Sequence, residues 1–356
     1  MSLEFAHDTL AQRVLFGTGK AAENLAAEVG RLGASRIMVI ATGTSAAVAD
    51  TVTAGFEVAL RYDDVVQHVP IEKAERARTA AQDNGIDLLV CIGGGSTTGL
   101  AKAIAMTTGI PIVAVPTTYS GSEATNVWGL TESERKTTGV DNAVLPVSVV
   151  YDAALTYSLP LELTVASGLN ALAHCIDSMW APRADPINRA LAAEGIRALA
   201  AGLRSVAVDG HDTDGREQAL YGTYLSAVAF ASAGSGLHHK ICHVLGGTYR
   251  MPHAQTHATV LPYVLAFNAP DAPQAESLIA QAFGASSAVA GLNALRSDLD
   301  APRALRDFGF DEADIPEAAA IVLPLIPASN PRPAGEADIQ QLLRLAWSGA
   351  EPVFDR

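Results

Sequence analysis

The sequence predicts a chain in two parts: an α/β domain built on a mainly parallel sheet, then an all-helical domain. Three observations carry this. Short β-rich runs alternate with helical stretches through the first part, and long Ala- and Leu-rich segments of helical period take over near residue 160. The third is length, since 356 residues exceed one typical domain and supply two cores.

In chain order, the strands are expected in "SRIMVIATG" (35–43), "DLLVCIGGGS" (87–96), "IPIVAVPTT" (110–118) and "VSVVYD" (147–152). Helical stretches such as "SAAVADTV" and "TTGLAKAIAM" separate them, and strand–helix–strand alternation argues for parallel pairing with helices on both faces. After "LTYSLP" (155–160), helices are expected at 161–181, 186–207, 215–233, 253–267 and 273–298. The boundary is drawn tightly, with domains at 1–158 and 159–356, and the cleft between them is the expected ligand site.

Composition narrows the functional classes. A net charge of −14, with no basic cluster to offset it, argues against nucleic acid and anionic membrane surfaces as partners. Apolar runs are broken by Gly, Pro or charge before membrane-spanning length, and the start has no basic segment followed by an apolar core. The cytoplasm is therefore the expected location. Cys91, Cys175 and Cys242 are too few and too widely spaced for a disulfide framework or a zinc finger, and read as buried small apolar residues.

"CIGGGSTTGLAKAIA" (91–105) sets Gly93, Gly94 and Gly95 directly after an apolar strand and before a helix. Glycine lets backbone approach a ligand, and the N–H groups of a new helix headed by Ser96 or Thr97 favour phosphate, so a nucleotide pyrophosphate site is expected. The alternative is a tight turn, because the spacing is not that of the usual G-x-G-x-x-G fingerprint. A second loop, "VPTTYSGSEATNVWG" (115–129), offers Thr117, Thr118, Ser120, Ser122 and Thr125 beyond another strand end. The first run ends at "ATGTS" with Gly43 and no acidic residue to exclude a 2′-phosphate, so NADPH is expected to be accepted beside NADH.

"GLHHKICHVLGGTYRMPHAQTH" (236–257) holds five of the nine histidines. His239 and His243 are four apart, as are His253 and His257, and Asn170 and His174 upstream, so each pair shares a helix face. His238 is assigned to helix packing, and His7 and His211 to the surface. Three imidazoles and a carboxylate would hold a divalent transition metal, but Asn170 stands where the carboxylate should be. The same imidazoles, once protonated, would bind substrate carboxylates or donate protons near neutral pH.

"GGGSTTGLAKAI", "VPTTYSGSEAT", "VWGLTE", "SGLNALAHCID", "GLHHKICHVLGG" and "MPHAQTHATVLP", in this order and spacing, resemble the iron-containing (group III) alcohol dehydrogenases over nearly the whole chain, and most of all the maleylacetate reductase branch. The resemblance implies a Rossmann-like N-terminal domain followed by an all-helical one, the architecture shared with dehydroquinate synthase-like enzymes. It implies cofactor contacts at Gly93, Gly94, Gly95, Ser96, Thr97, Thr117, Thr118, Thr125 and Lys136, and a metal set of Asp and three His that falls on Asn170, His174, His239 and His253. His243 falls on the histidine placed in proton transfer. Two positions depart from the alcohol dehydrogenase pattern, Asn170 at the metal set and Gly99 where the glycine-loop helix carries an Asp, and both put metal dependence in doubt.

The implied activity is reduction of the carbon–carbon double bond of 2-maleylacetate to 3-oxoadipate by NADH or NADPH, in aromatic compound degradation, by a homodimer. His243 is the expected proton donor or enolate stabiliser, with His174, His239, His253, His257 and Lys240 at the substrate carboxylates. No resident metal is expected. The alternatives are a metal-dependent alcohol or aldehyde oxidoreductase of the same family, a metal-dependent hydrolase or lyase, and a non-catalytic nucleotide-binding protein.

Overall fold

A computed structural model describes residues 3–354 apart from 68, 133 and 134; the side chains of 132–136 also lie outside the described residues. The chain divides into two units, Leu10–Leu159 and Pro160–Arg356, and the second also takes in Met1–Thr9. The first residues, expected with the α/β part, are held there because His7 Nδ1 lies 2.8 Å from Asp185 Oδ2 and 3.3 Å from Ser232 Oγ. His7 is thus partly buried rather than a free surface residue.

The α/β unit runs β1 (Arg13–Phe16), α1 (Ala21–Leu32), β2 (Ile37–Ile40), α2 (Ala46–Val52), β3 (Val58–Tyr62), α3 (Ile71–Asp83), β4 (Leu88–Gly93), α4 (Gly95–Thr108), β5 (Ile112–Pro116), β6 (Val127–Glu132), β7 (Arg135–Val140) and β8 (Ser148–Tyr151). Six strands form one all-parallel sheet in the order β1-β8-β5-β4-β2-β3. Helices cover both faces, so the inner strands read as unbroken apolar runs. Their period-two alternation then divides them between two cores. Met38, Ile40, Leu89, Cys91, Ile112 and Ala114 meet α3 and α4 on one face, while Val39, Leu88, Val90, Ile92 and Val113 meet α1 and α2 on the other. Each fully buried Leu, Ile or Val contributes about 1.5–3 kcal/mol to that packing.

The second polar loop was expected to stay irregular to residue 129, but β6 already begins at Val127 and pairs antiparallel with β7. Trp128 lies opposite Gly139, where a Cβ would come within 2.5 Å of the indole, so the ring packs across bare backbone.

The helical unit comprises α5 (Leu161–Ser178), α6 (Pro186–Val208), α7 (Thr213–Ala233), α8 (Leu237–Thr248), α9 (His253–Asn268), α10 (Pro273–Phe283), α11 (Ala288–Asp298), α12 (Ile315–Val322) and α13 (Glu336–Ser348). Residues Thr164 to Ser178 of α5 are all buried, as befits a helix apolar on every side. α9 serves two cores: Ala258, Leu261 and Leu265 pack with α5, α6, α10 and α11, while Val260, Val264 and Phe267 pack with α8, α12 and α13. Among the described residues one stretch, Pro273–Asp298, has the length and apolarity to cross a membrane. Expected as one helix, it is two of eleven residues each, broken where Gly284 takes a left-handed φ of 66°. Each is too short for the roughly 20 residues a spanning helix needs.

Candidate active site

The elements expected to hold a dinucleotide lie in the α/β unit. β2, β4 and β5 are neighbours in the sheet, so the loops bearing Gly43, Gly93–Gly95 and Thr117–Thr118 leave the same sheet edge side by side. Strand order reverses between β2 and β4, and the crevice beyond such carboxyl ends is where open α/β sheets bind ligands. Gly93 has φ 147°, and a Cβ there would meet Thr97 Oγ1 at 2.8 Å, so the turn requires glycine. A Cβ on Gly94 would come to 3.1 Å from Thr118, which puts the two loops against each other.

α4 starts at Gly95, with Gly94 rather than Ser96 or Thr97 as its cap and no side chain bonded to its first N–H groups. Those groups and the positive helix end suit a pyrophosphate. Thr97 is buried and its hydroxyl donates to the Gly94 carbonyl at 2.7 Å, so its backbone N–H is what a phosphate would use. Ser96 is half-buried and Gly43 exposed. Ser122 is half-buried, its carbonyl accepting from the Thr125 hydroxyl at 3.2 Å. Thr125 is itself buried inside the loop. Lys136 pairs by its backbone with Thr131 in the hairpin, and its side chain lies outside the described residues.

Two buried residues here escaped the sequence reading. Lys102 Nζ donates to the carbonyls of Thr125 at 2.8 Å and Val127 at 2.7 Å and to Thr125 Oγ1 at 3.1 Å, tying the second loop to α4. Burial lowers its pKa to about 7, against the attraction of Glu123. Glu123 is fully buried, held by the Tyr151 hydroxyl at 2.9 Å, and its pKa is raised by burial. The signal for Lys102 was a lone charge inside the apolar run "GLAKAIAM". Gly99 packs closely too: a Cβ there would lie 3.0 Å from Val69 Cγ2, which leaves no room for an Asp without a shift.

The imidazoles gather in the helical unit. α5 supplies Asn170 and His174, α8 supplies His238, His239 and His243, and α9 supplies His253 and His257. Ring centroids stand 5.0 Å apart for His174 and His239, 5.9 Å for His239 and His243, 5.0 Å for His239 and His257, and 4.4 Å for His253 and His257. Asn170, His174, His239 and His257 are buried, His243 and Lys240 are half-buried, and His253 is exposed at the start of α9. Phe230 of α7 lies 4.7 Å from His174 and 4.3 Å from His239, walling the rings with hydrocarbon.

Burial therefore governs their charge. It lowers the pKa of His174 to about 4 and of His238 to about 3, and holds His239 and His257 well below the usual histidine range, with neighbouring imidazoles pushing the last three further. These four rings are neutral near pH 7. The expectation that His174, His239 and His257 meet carboxylates as cations is corrected on this point, because hydrocarbon and like groups surround them.

His239 is positioned by Asp177, which the sequence reading passed over although it follows His174 by three residues on α5. Asp177 Oδ2 accepts from His239 Nδ1 at 2.7 Å and from the Gly236 N–H at 2.7 Å. A Cβ on Gly236 would meet the carboxylate at 2.3 Å, so α8 can start there only from glycine. Burial raises Asp177 to about 6, opposed by these backbone donors. Its anion fixes His239 as the Nδ1–H tautomer, leaving Nε2 a bare acceptor. His239 Nε2, His174 Nδ1 and His257 Nε2 are buried with no hydrogen-bond partner among the described residues.

Asn170, His174, His239 and His253 offer three imidazoles and a neutral amide, with no anionic oxygen to offset a divalent charge in a buried place. This set does not fit the Asp-and-three-His pattern. His238, Cys242 and His257 also bring ligand atoms within 4.8 Å of one another. There the His238 and His257 nitrogens already share a hydrogen bond of 2.9 Å, and burial keeps the Cys242 thiol protonated, its pKa well above 9. His238, assigned to packing, is thus bonded to the cluster.

Comparison with known proteins agrees with this geometry. The iron-containing alcohol dehydrogenase family matches residues 11–153, and its C-terminal part matches residues 164–347. A maleylacetate reductase 2 of Cupriavidus pinatubonensis is 45% identical over 367 residues, covering 98% of each chain. Among solved structures, an iron-containing alcohol dehydrogenase from Corynebacterium glutamicum has 61% identity and a TM-score of 0.97, covering 99% of each chain. A maleylacetate reductase from Agrobacterium tumefaciens has 37% identity and a TM-score of 0.93, covering 99% of this chain and 100% of that one. The chain belongs to the iron-containing alcohol dehydrogenase family and is an oxidoreductase, with maleylacetate reductases among its full-length relatives.

Proposed function

We propose that this chain reduces the carbon–carbon double bond of 2-maleylacetate with NADH or NADPH, giving 3-oxoadipate. The observation that carries this is the buried, uncharged imidazole group built around Asn170. An amide in place of an acid removes a negative charge that would repel a dianionic substrate and weakens the frame as a metal site. The full-length maleylacetate reductase relatives support the same substrate.

A bound dihydronicotinamide would supply hydride to the olefinic carbon remote from the ketone. The π electrons move toward the ketone oxygen as an enolate, and a proton returns to the carbon beside the ketone. A conjugated enone accepts hydride readily, so hydrogen-bond donors at the oxygen suffice to stabilise the developing charge. We assign proton delivery to half-buried His243, which stacks edge-on with His239, and attraction of substrate carboxylates to Lys240 and exposed His253. Buried His174, His239 and His257 would act as neutral, oriented hydrogen-bonding groups.

The pyrophosphate is assigned to Gly93, Gly94, Gly95, Ser96 and the Thr97 N–H, with Gly43, Thr117, Thr118, Ser122, Thr125 and Lys136 completing the cofactor contacts. A cytoplasmic homodimer is part of the same proposal, and the three free, buried cysteines fit a reducing compartment.

NADH oxidation by purified protein, with maleylacetate and with a panel of aldehydes, before and after a chelator, tests the reading. Turnover of maleylacetate that survives chelation is expected. Aldehyde reduction restored only by Zn or Fe would overturn it in favour of the metal-dependent alternative.

A further inference from the structure

His238 and His257 are joined by a 2.9 Å hydrogen bond between His238 Nε2 and His257 Nδ1, on helices α8 and α9. Two neutral imidazoles linked this way hold two N–H groups: one lies in the bond, and the other must sit on an outer nitrogen, either His238 Nδ1 or His257 Nε2. Both outer nitrogens are buried with no hydrogen-bond partner among the described residues. A stranded buried N–H costs more than a bare lone pair, so the proton belongs on the nitrogen that an acceptor can reach.

The His257 ring lies 4.4 Å from exposed His253 and 5.0 Å from His239, inside the imidazole group. Burial does not separate the two, at 1% exposed for His238 and 0% for His257; His238 lies beside His239 and its own-helix neighbour Cys242, whose Sγ is 3.6 Å from His238 Nε2. There is a chemical need as well. Asp177 leaves His239 with a bare acceptor at Nε2, and an acceptor cannot hold a carboxylate or enolate oxygen.

We propose that His238 is a positioning residue: its Nε2–H donates to His257 Nδ1 and so fixes His257 as the tautomer whose Nε2–H donates to an oxygen of the bound dicarboxylate. This rests on the dicarboxylate-reducing reading above. His239 and His257 then present opposite faces of imidazole chemistry, one acceptor and one donor, each set by a residue behind it.

Nitrogen-resolved NMR of the histidine-labelled wild-type enzyme tests the lock without any variant. A proton on His257 Nε2 supports it, and a proton on His257 Nδ1 overturns it, whatever the substrate proves to be. Kinetics test the consequence. His238→Leu is expected to raise KM for maleylacetate about tenfold or more while leaving KM for NADH unchanged. His238→Gln, whose amide N–H can stand in for Nε2–H, should recover most of that loss. Equal behaviour of the two variants, or an unchanged maleylacetate KM in both, would overturn the role. If the wild type reduces only aldehydes, the dicarboxylate reading itself fails and with it the substrate contact, while the NMR result still decides the tautomer.

Discussion

Replacing Asp177 by Asn separates orientation of the His239 ring from stability of the fold. The carboxylate accepts His239 Nδ1–H and the Gly236 N–H, each at 2.7 Å. An amide oxygen accepts the same donors without charge, lowering the bond from about 1.5–3 kcal/mol to about 0.5–1.5 kcal/mol. A loss of about 1–2 kcal/mol in holding the ring corresponds to a roughly 5- to 30-fold fall in kcat/KM.

Stability moves the other way. Asp177 is raised from 3.8 to about 6 by burial, so the folded state binds its proton more tightly than the unfolded chain and pays for the anion above that pH. At neutral pH the cost is about 3 kcal/mol, which the neutral Asn removes. The expected result is an enzyme slowed in steady-state turnover of maleylacetate whose melting temperature is unchanged or higher. Activity within twofold of wild type, or a slow enzyme that also melts many degrees lower, would refute the reasoning.

Acid should act on the same cluster. His174, His238, His239 and His257 have depressed pKa values, so their contribution is complete above about 6.5 and is lost as pH falls toward 4, the unfolded chain taking up protons first. His174 alone accounts for about 3 kcal/mol by pH 4, and denaturant titrations at pH 7 and pH 5 that gave equal stability would count against neutral rings. Lys102→Met strands three acceptors of the second loop, so NADH affinity measured by fluorescence titration should fall about tenfold with some loss of stability; unchanged affinity would remove the loop from cofactor binding. Gly94→Val crowds Thr118 and covers the start of α4, and should abolish NADH binding while circular dichroism stays native. Normal binding by this variant would mean that the pyrophosphate lies elsewhere.

The inner strands β2, β4, β5 and β8 were legible because burial on both faces leaves unbroken apolar runs. The edge strands β1 and β3 were not, since Arg13 and Arg61 face outward and dilute the pattern, and the hairpin β6–β7 carries too many polar residues to stand out. α12 and α13 flank the Pro-rich stretch "LPLIPASNPRP", which hid them. In the site, helical spacing alone located the imidazole pairs on α8 and α9. Their neutrality was beyond spacing, because it comes from Phe230 and from rings on other helices. Asp177 was overlooked because its role depends on α8 starting against it.

α9 packs into two cores at once, and this bears on how the enzyme can be altered. Turning that helix to carry His257 elsewhere would require Leu261 and Leu265 on one side and Val264 and Phe267 on the other to repack together. An attempt to widen the range of accepted substrates is therefore better directed at its exposed first turn, around His253, where a side chain can be exchanged without either core having to follow.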